Sequence, residues 1–174
     1  MRTSLPCFVV AVGLVTLGTP LPASADPTSA TVTITGGELT ISVPAAAGNL
    51  GTRANTVSQG VISGALGQVQ VSDARSAAAG SGWVASAIST AFTPPSGPAL
   101  AASLVSYTAG SIVKVGTATY TANDPSSLTG VAAVVTATGI TGDNSATWNP
   151  TINVSVPGGM AAGVYSATIT HSVL

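Results

Sequence analysis

The segment GQVQVSDARSAAAGSGWVAS (67–86) carries the pattern that decides the fold. In its first half two valines alternate with polar residues, which is the period of a strand with one buried face. Asp73 and Arg75 continue this period, and a run of Ala, Gly and Ser residues at 76–82 then precedes Trp83. We expect a strand, a hairpin loop at 76–82 and a second strand beginning near Trp83.

The same period of two recurs along most of the chain. The segments TVTIT (31–35) and ELTISV (38–43) flank a Gly-Gly pair and predict a hairpin. Further strands are predicted at VVTAT (134–138), TINVSV (151–156) and VYSATITHSVL (164–174), with a less regular pattern at ASLVSYTAG (102–110). No segment shows a sustained helical period with caps. The sequence therefore predicts an all-β fold, an antiparallel β-sandwich.

The N-terminal residues have the pattern of a signal peptide. Arg2 precedes the apolar run CFVVAVGLVTLG (7–18), and the segment ends in Ala23-Ser24-Ala25. A membrane anchor fits less well, because the run is shorter than the roughly 20 residues that span a bilayer and prolines follow it. We expect residues 1–25 to be removed, and residues 26–174 to be secreted as a single domain without cysteine.

Charged side chains are scarce. The full chain has a formal net charge of −1. Removal of Arg2 would leave a charge of −2, from three cations against five acids: Arg53, Arg75 and Lys114 against Asp26, Glu38, Asp73, Asp124 and Asp143. This excludes the basic surface that nucleic-acid binding requires. A surface of Ser, Thr, Ala and Gly also offers little electrostatic repulsion between molecules.

Signatures of catalysis and of metal binding are missing from the sequence. Its one histidine, His171, has no cysteine or carboxylate cluster beside it in the sequence that could complete a metal site. There is no nucleophile elbow of the G-x-S-x-G type and no phosphate-binding glycine loop. We therefore expect a protein that is not an enzyme and that carries no cofactor and no metal.

Four segments together resemble a known family: ITGGELTISVP (34–44), VSDARSAAAGSGWVAS (71–86), NPTINVSVP (149–157) and GVYSATITHSVL (163–174). They are similar to the WxL-domain family of bacterial cell-surface proteins, over most of residues 31–174. The first family motif corresponds to Trp83-Val84-Ala85, and the second runs from Tyr165 to His171-Ser172-Val173. Ala85 and Val173 stand where the family has Leu, and His171 stands where it has Trp. The resemblance implies non-covalent attachment to peptidoglycan.

Three aromatic or imidazole side chains of these motifs are candidate ligand-binding residues, namely Trp83, Tyr165 and His171. Alternate positions of a strand share a face, so each motif places its ring beside an aliphatic group. Such a pair can form a platform for a sugar ring, or it can fill a core. Both interpretations are open for Trp83 and Tyr165, and for His171 a partly buried side chain satisfied by a backbone group is the alternative.

Asp73 and Arg75, two residues apart, are the remaining candidates. A bidentate pair between them would clamp the loop 76–82, and the alternative is direct contact with a ligand. Two functions follow from the whole sequence. The first is a cell-wall-associated protein whose partner is peptidoglycan or another cell-wall polymer. The second is a structural surface protein that associates with itself or with other surface proteins through polar, charge-poor β-faces.

Overall fold

The computed structural model describes residues 29–174, so the predicted signal peptide at 1–25 lies outside the described residues. Residues 35–174 form one compact unit. The described chain contains strands and no α-helix, which confirms the all-β prediction. Within residues 29–174 no helix has the length and hydropathy needed to cross a membrane.

Eight strands form two antiparallel sheets. They are β1 (Leu39–Ser42), β2 (Gly60–Ala65), β3 (Val69–Ser89), β4 (Val105–Thr108), β5 (Val113–Ala122), β6 (Ala132–Trp148), β7 (Thr151–Val156) and β8 (Ile169–Val173). The first sheet has the order β1-β3-β6-β5, and β8 also pairs with β3. The second sheet has the order β2-β7-β4. The predicted strand at 151–156 coincides with β7.

The long strands β3 and β6 pair along most of their length. Their register shifts at four points, three of them between Asp73 and Trp83. Ser76 has a φ of 54° and Gly80 a φ of 89° in this segment, so the strand bends there. The prediction of a hairpin loop at 76–82 is wrong, because these residues remain part of β3 opposite β6. Small side chains permit a loop or an irregular, bent strand, and the pairing with β6 selects the strand.

The predicted hairpin between 31–35 and 38–43 is also wrong. Residues 31–35 form no strand, whereas β1 pairs with β3 through register pairs such as Ile41↔Val71. Gly36 and Gly37 do not have the positive φ that a tight hairpin turn needs. A Cβ at Gly37 would lie 2.8 Å from the Cβ of Ala74. The glycine pair therefore lets the backbone approach β3 closely, and the partner of β1 is distant in sequence.

Both sheets contribute to one buried core. Its largest side chains are Trp83, Trp148, Tyr107, Leu128, Ile140 and Ile152. Val69 and Val71, which open the deciding segment, are fully buried as their alternation predicts. The two antiparallel sheets are thus observed, while their description as a sandwich stays a prediction.

A chain of polar contacts crosses this core from one sheet to the other. Trp148 on β6 donates from Nε1 to the hydroxyl of Tyr107 on β4 at 2.8 Å. The Tyr107 hydroxyl lies 3.3 Å from Nε2 of His171 on β8. The rings of Tyr107 and His171 meet edge to face with centroids 5.7 Å apart. Tyr107 therefore joins the second sheet to two strands of the first.

Candidate functional site

The two motif strands lie side by side. In the antiparallel pairing of β3 with β8, Ala85 is opposite Val173 and Ala87 is opposite His171. The segment after Trp83 thus contacts the C-terminal segment directly. On β8 the residues of one face, Ile169, His171 and Val173, are half-buried and the intervening residues are exposed, as the alternation predicts. The structure therefore brings together two of the segments on which the resemblance depends.

Trp83 lies in the core. It is 2% exposed, and its Nε1 donates to Oδ1 of Asn144 at 3.0 Å. Tyr120 packs against it, with ring centroids 5.7 Å apart and a tilt of 55°. In this structure the indole has no free face for a sugar ring. Of the two interpretations of Trp83, its burial supports the core.

Asp73 and Arg75 form the bidentate pair that their spacing suggests. Arg75 donates from Nε to Oδ1 of Asp73 at 2.8 Å and from Nη2 to Oδ2 at 2.9 Å. Nη2 also lies 3.4 Å from the carbonyl oxygen of Gly82. The pair therefore ties the two ends of the bent segment together. The clamp exists, although it holds a bend of β3 instead of a hairpin loop.

Asn144 on β6 connects this pair to Trp83. Its Nδ2 donates to Oδ2 of Asp73 at 3.3 Å, while its Oδ1 accepts from Trp83 and, at 3.2 Å, from the hydroxyl of Tyr120. Ten residues of straight strand would separate Asp73 and Trp83 by about 33 Å. Both contact one asparagine only because β3 bends between them. Asn144 is thus the centre of a buried polar network.

This network shifts the pKa values of its carboxyl and phenol groups. The hydrogen bonds from Arg75 hold the pKa of the Asp73 carboxyl below its usual value, against the opposing effect of burial. Burial raises the pKa of Tyr120, and the nearby charge of Asp73 acts in the same direction. The network therefore holds an ionised carboxylate beside a neutral phenol. Asp73, Asn144 and Trp83 are buried and hydrogen-bonded within the network, which indicates a structural role.

His171 is held in its neutral form. The indole N–H of Trp148 can only donate, so the Tyr107 hydroxyl accepts from it and can direct its own hydrogen to Nε2 of His171. The buried Nδ1 has no hydrogen-bond partner among the described residues. Burial lowers the pKa of His171 below its ordinary value of 6.5. The backbone partner expected from the sequence is replaced by a tyrosine of the other sheet.

The described chain contains a cleft of about 900 Å³. It lies between two coil segments, residues 43–56 and 160–168, and both Tyr165 and His171 line it. Tyr165 is half-buried and donates from its hydroxyl to the carbonyl oxygen of Ala161 at 2.9 Å. Two of the three candidate ligand-binding residues therefore share one cleft. Asp73, Arg75 and Trp83 do not line it.

The lining of the cleft is mainly apolar. Partly buried side chains supply much of it: Leu50, Ile62, Leu66, Phe92, Val156, Met160, Tyr165 and Ile169. A Cβ at Gly64 on β2 would clash with the backbone of Leu50, so this glycine allows the first coil segment to lie directly on the strand. A cleft of this size, with apolar walls and polar groups such as Arg53 and Thr56, is typical of a binding site.

Arg53 is the one charged side chain of this lining. Its Nη1 lies 3.4 Å from the carbonyl oxygen of Val156, and its Nη2 donates to Thr56 Oγ1 at 3.0 Å and to the carbonyl oxygen of Ser58 at 2.9 Å. These bonds fix the guanidinium between the coil and the end of β7. The sequence pattern gave no signal for this role, because Arg53 lies in a segment without period.

The described residues contain no group of three or more His, Cys, Asp and Glu that could hold a metal ion. Comparison with family models, with curated proteins and with solved structures found no match.

The sequence pattern did not predict the polar contacts of Asn144, Tyr107, Tyr120 and Trp148. A strand pattern gives the face of each residue, and it does not give the partner across the core.

Replacement of Asp73 by alanine tests the clamp. The buried amide of Asn144 would lose an acceptor and the bend would lose its tie, so we expect the free energy of unfolding to fall by about 1–3 kcal/mol. Chemical denaturation measures this, with Glu38→Ala, which removes an exposed carboxylate, as the control. A free energy of unfolding equal to that of the native protein would contradict the clamp.

The lowered pKa of His171 predicts a stability that falls in weak acid. Between the folded pKa and the unfolded value near 6.5, the unfolded chain binds the proton more strongly, so each pH unit in this window costs at most about 1.4 kcal/mol. We expect denaturation at pH 7.5 and at pH 5.5 to show this loss in the native protein and not in His171→Gln. Equal losses in both proteins would contradict the assignment to His171.

Proposed function

We propose that this chain is a secreted protein of the bacterial cell surface that binds peptidoglycan or another cell-wall polymer without a covalent link. The proposal includes no catalytic step. The observation that carries it is the cleft, because the apolar lining and the half-buried ring of Tyr165 are groups that a ligand can cover. The similarity of four segments to WxL domains supports the choice of ligand.

The position of the motifs agrees with this proposal in one respect. The second motif runs through Tyr165 and His171, which line the cleft, whereas Trp83 of the first motif is buried. A variant at Trp83 would leave a cavity in the core, so it cannot report on binding alone. Tyr165 is half-buried and lines the cleft, so its replacement can test binding without leaving a cavity in the core.

Replacement of Tyr165 by leucine keeps an apolar side chain and removes the aromatic face and the hydroxyl. We expect binding to purified cell wall, measured by sedimentation, to weaken roughly tenfold, since stacking area is lost. Circular dichroism checks the fold. Val113→Ala, at an exposed position on β5 outside the cleft, is the control and should bind normally. Undiminished binding of the folded Tyr165 variant would remove the cleft from the proposal.

A second candidate function is self-association, and one observation favours it. The ten-residue strand β5 is at the end of its sheet and pairs with β6 alone among the described strands. Val113 and Val115 are 68% and 66% exposed there, and Lys114 is the only charged residue of the strand. Long edge strands with little charge are templates for pairing with another chain.

A lysine at Val115 tests this second candidate. If β5 pairs with β5 of another copy, the native protein should form concentration-dependent oligomers. Val115→Lys should be monomeric, because each β5 edge would then carry two neighbouring lysines and the like charges of the two edges would repel. Light scattering after size-exclusion chromatography measures both. Val131→Lys, at an exposed valine outside β5, is the matched control. A native protein that stays monomeric at every concentration rules out self-association through β5.

A further inference from the structure

The charge distribution around the cleft is one-sided. Arg53 is its only charged lining residue, and none of the four acids of the described chain lines it. Three of these acids have other partners: Asp73 accepts from Arg75, Asp124 accepts from the backbone N–H of Ala109 at 2.7 Å, and Asp143 accepts from the backbone N–H of Ser76 at 2.9 Å. The cleft therefore presents one positive charge without a carboxylate partner among the described residues.

Arg53 is also held in place before any ligand arrives. Three hydrogen bonds to oxygens of Thr56, Ser58 and Val156 fix two of its nitrogens. A guanidinium has five N–H donors, so donors remain for a ligand. Little side-chain entropy is left to lose on binding. Its half-buried position beside apolar residues strengthens attraction to an anion relative to a fully hydrated site.

We propose that Arg53 selects an acidic group of the cell-wall polymer, a carboxylate or a phosphate, while the apolar lining covers the neighbouring part of the ligand. This inference rests on the proposed function and names the chemistry of the same cleft. Peptidoglycan peptides supply carboxylates, and phosphodiester wall polymers supply phosphates. Both form charge-assisted hydrogen bonds with a guanidinium. A neutral sugar chain would leave the charge of Arg53 without a counterpart.

The first experiment compares variants on native cell wall. We expect Arg53→Gln to weaken sedimentation about tenfold, the size of one charge-assisted bond, and Arg53→Lys to retain part of the binding. Lys114→Gln changes the net charge by the same amount on β5, outside the cleft, and should bind as the native protein does. Circular dichroism and thermal melting check each fold. Native-like binding by Arg53→Gln overturns the inference.

The second experiment uses the native protein and treated walls, so it does not depend on how the variants fold. Hydrofluoric acid removes phosphodiester polymers, and carbodiimide with ammonia converts carboxylates into amides. Loss of binding after the first treatment identifies phosphate as the ligand group, and loss after the second identifies carboxylate. Undiminished binding to walls that have received both treatments overturns the inference.

A titration in solution separates this inference from the proposed function. The Arg53 Nε–H resonance of the native protein is followed by NMR during addition of sodium phosphate or of N-acetylmuramyl dipeptide. If native walls do not bind the protein, the proposed function fails. In that case the anion site is still supported if the Arg53 Nε–H resonance of the native protein shifts saturably. The resonances of the other residues in Arg53→Gln should then not shift on addition of the same compound. The absence of both wall binding and any shift overturns both.

Discussion

The pairing of β3 with β6 is the constraint on which the rest of the structure depends. These are the two longest strands, and every other strand of the first sheet attaches to one of them: β1 and β8 to β3, and β5 to β6. The two strands also bend, because their register shifts three times between Asp73 and Trp83. Where two strands bend together, the ladder of backbone hydrogen bonds is locally disrupted and side chains have to support the geometry.

The network around Asn144 provides that support. A carboxylate, a guanidinium, an amide, an indole and a phenol satisfy one another where the backbone ladder is irregular. The indole N–H of Trp83 and the amide of Asn144 would be costly to bury without these partners. The chain has few charged residues, and two of them form the Asp73–Arg75 ion pair in the bend. The network explains this position, because the pair supports the backbone where the ladder is irregular. It also explains why Trp83, the most conspicuous residue of the first motif, has a buried position.

The cleft arises at a different place, where coil covers the side of the core. Strand β8 reaches β3 only over the second half of that strand, and β1 only over the first. The adjoining segments 43–56 and 160–168 have no ladder of their own, so their apolar side chains cover the core incompletely. Half-buried Leu, Ile, Phe and Met residues are the result. Trp83 and the network around Asn144 lie outside the cleft, whereas Tyr165 and Arg53 line it, which is why stability and binding can be tested apart.

The sequence by itself determined the class of structure and much of its local pattern. Alternation identified β7, the buried face of early β3 and the half-buried face of β8, because side-chain direction in a strand has a fixed period of two. The spacing of Asp73 and Arg75 also suggested their pair, since both lie within reach on one chain. Only the tertiary structure decided which strands pair, because the same alternation fits many partners. It paired β1 with β3 and not with residues 31–35, and it joined Tyr107 to Trp148 and His171 across the core. It also made Arg53 the one charged residue that lines the cleft. These contacts connect residues far apart in sequence. The free energy of packing selects one set of partners, and a local sequence pattern contains no information about that free energy.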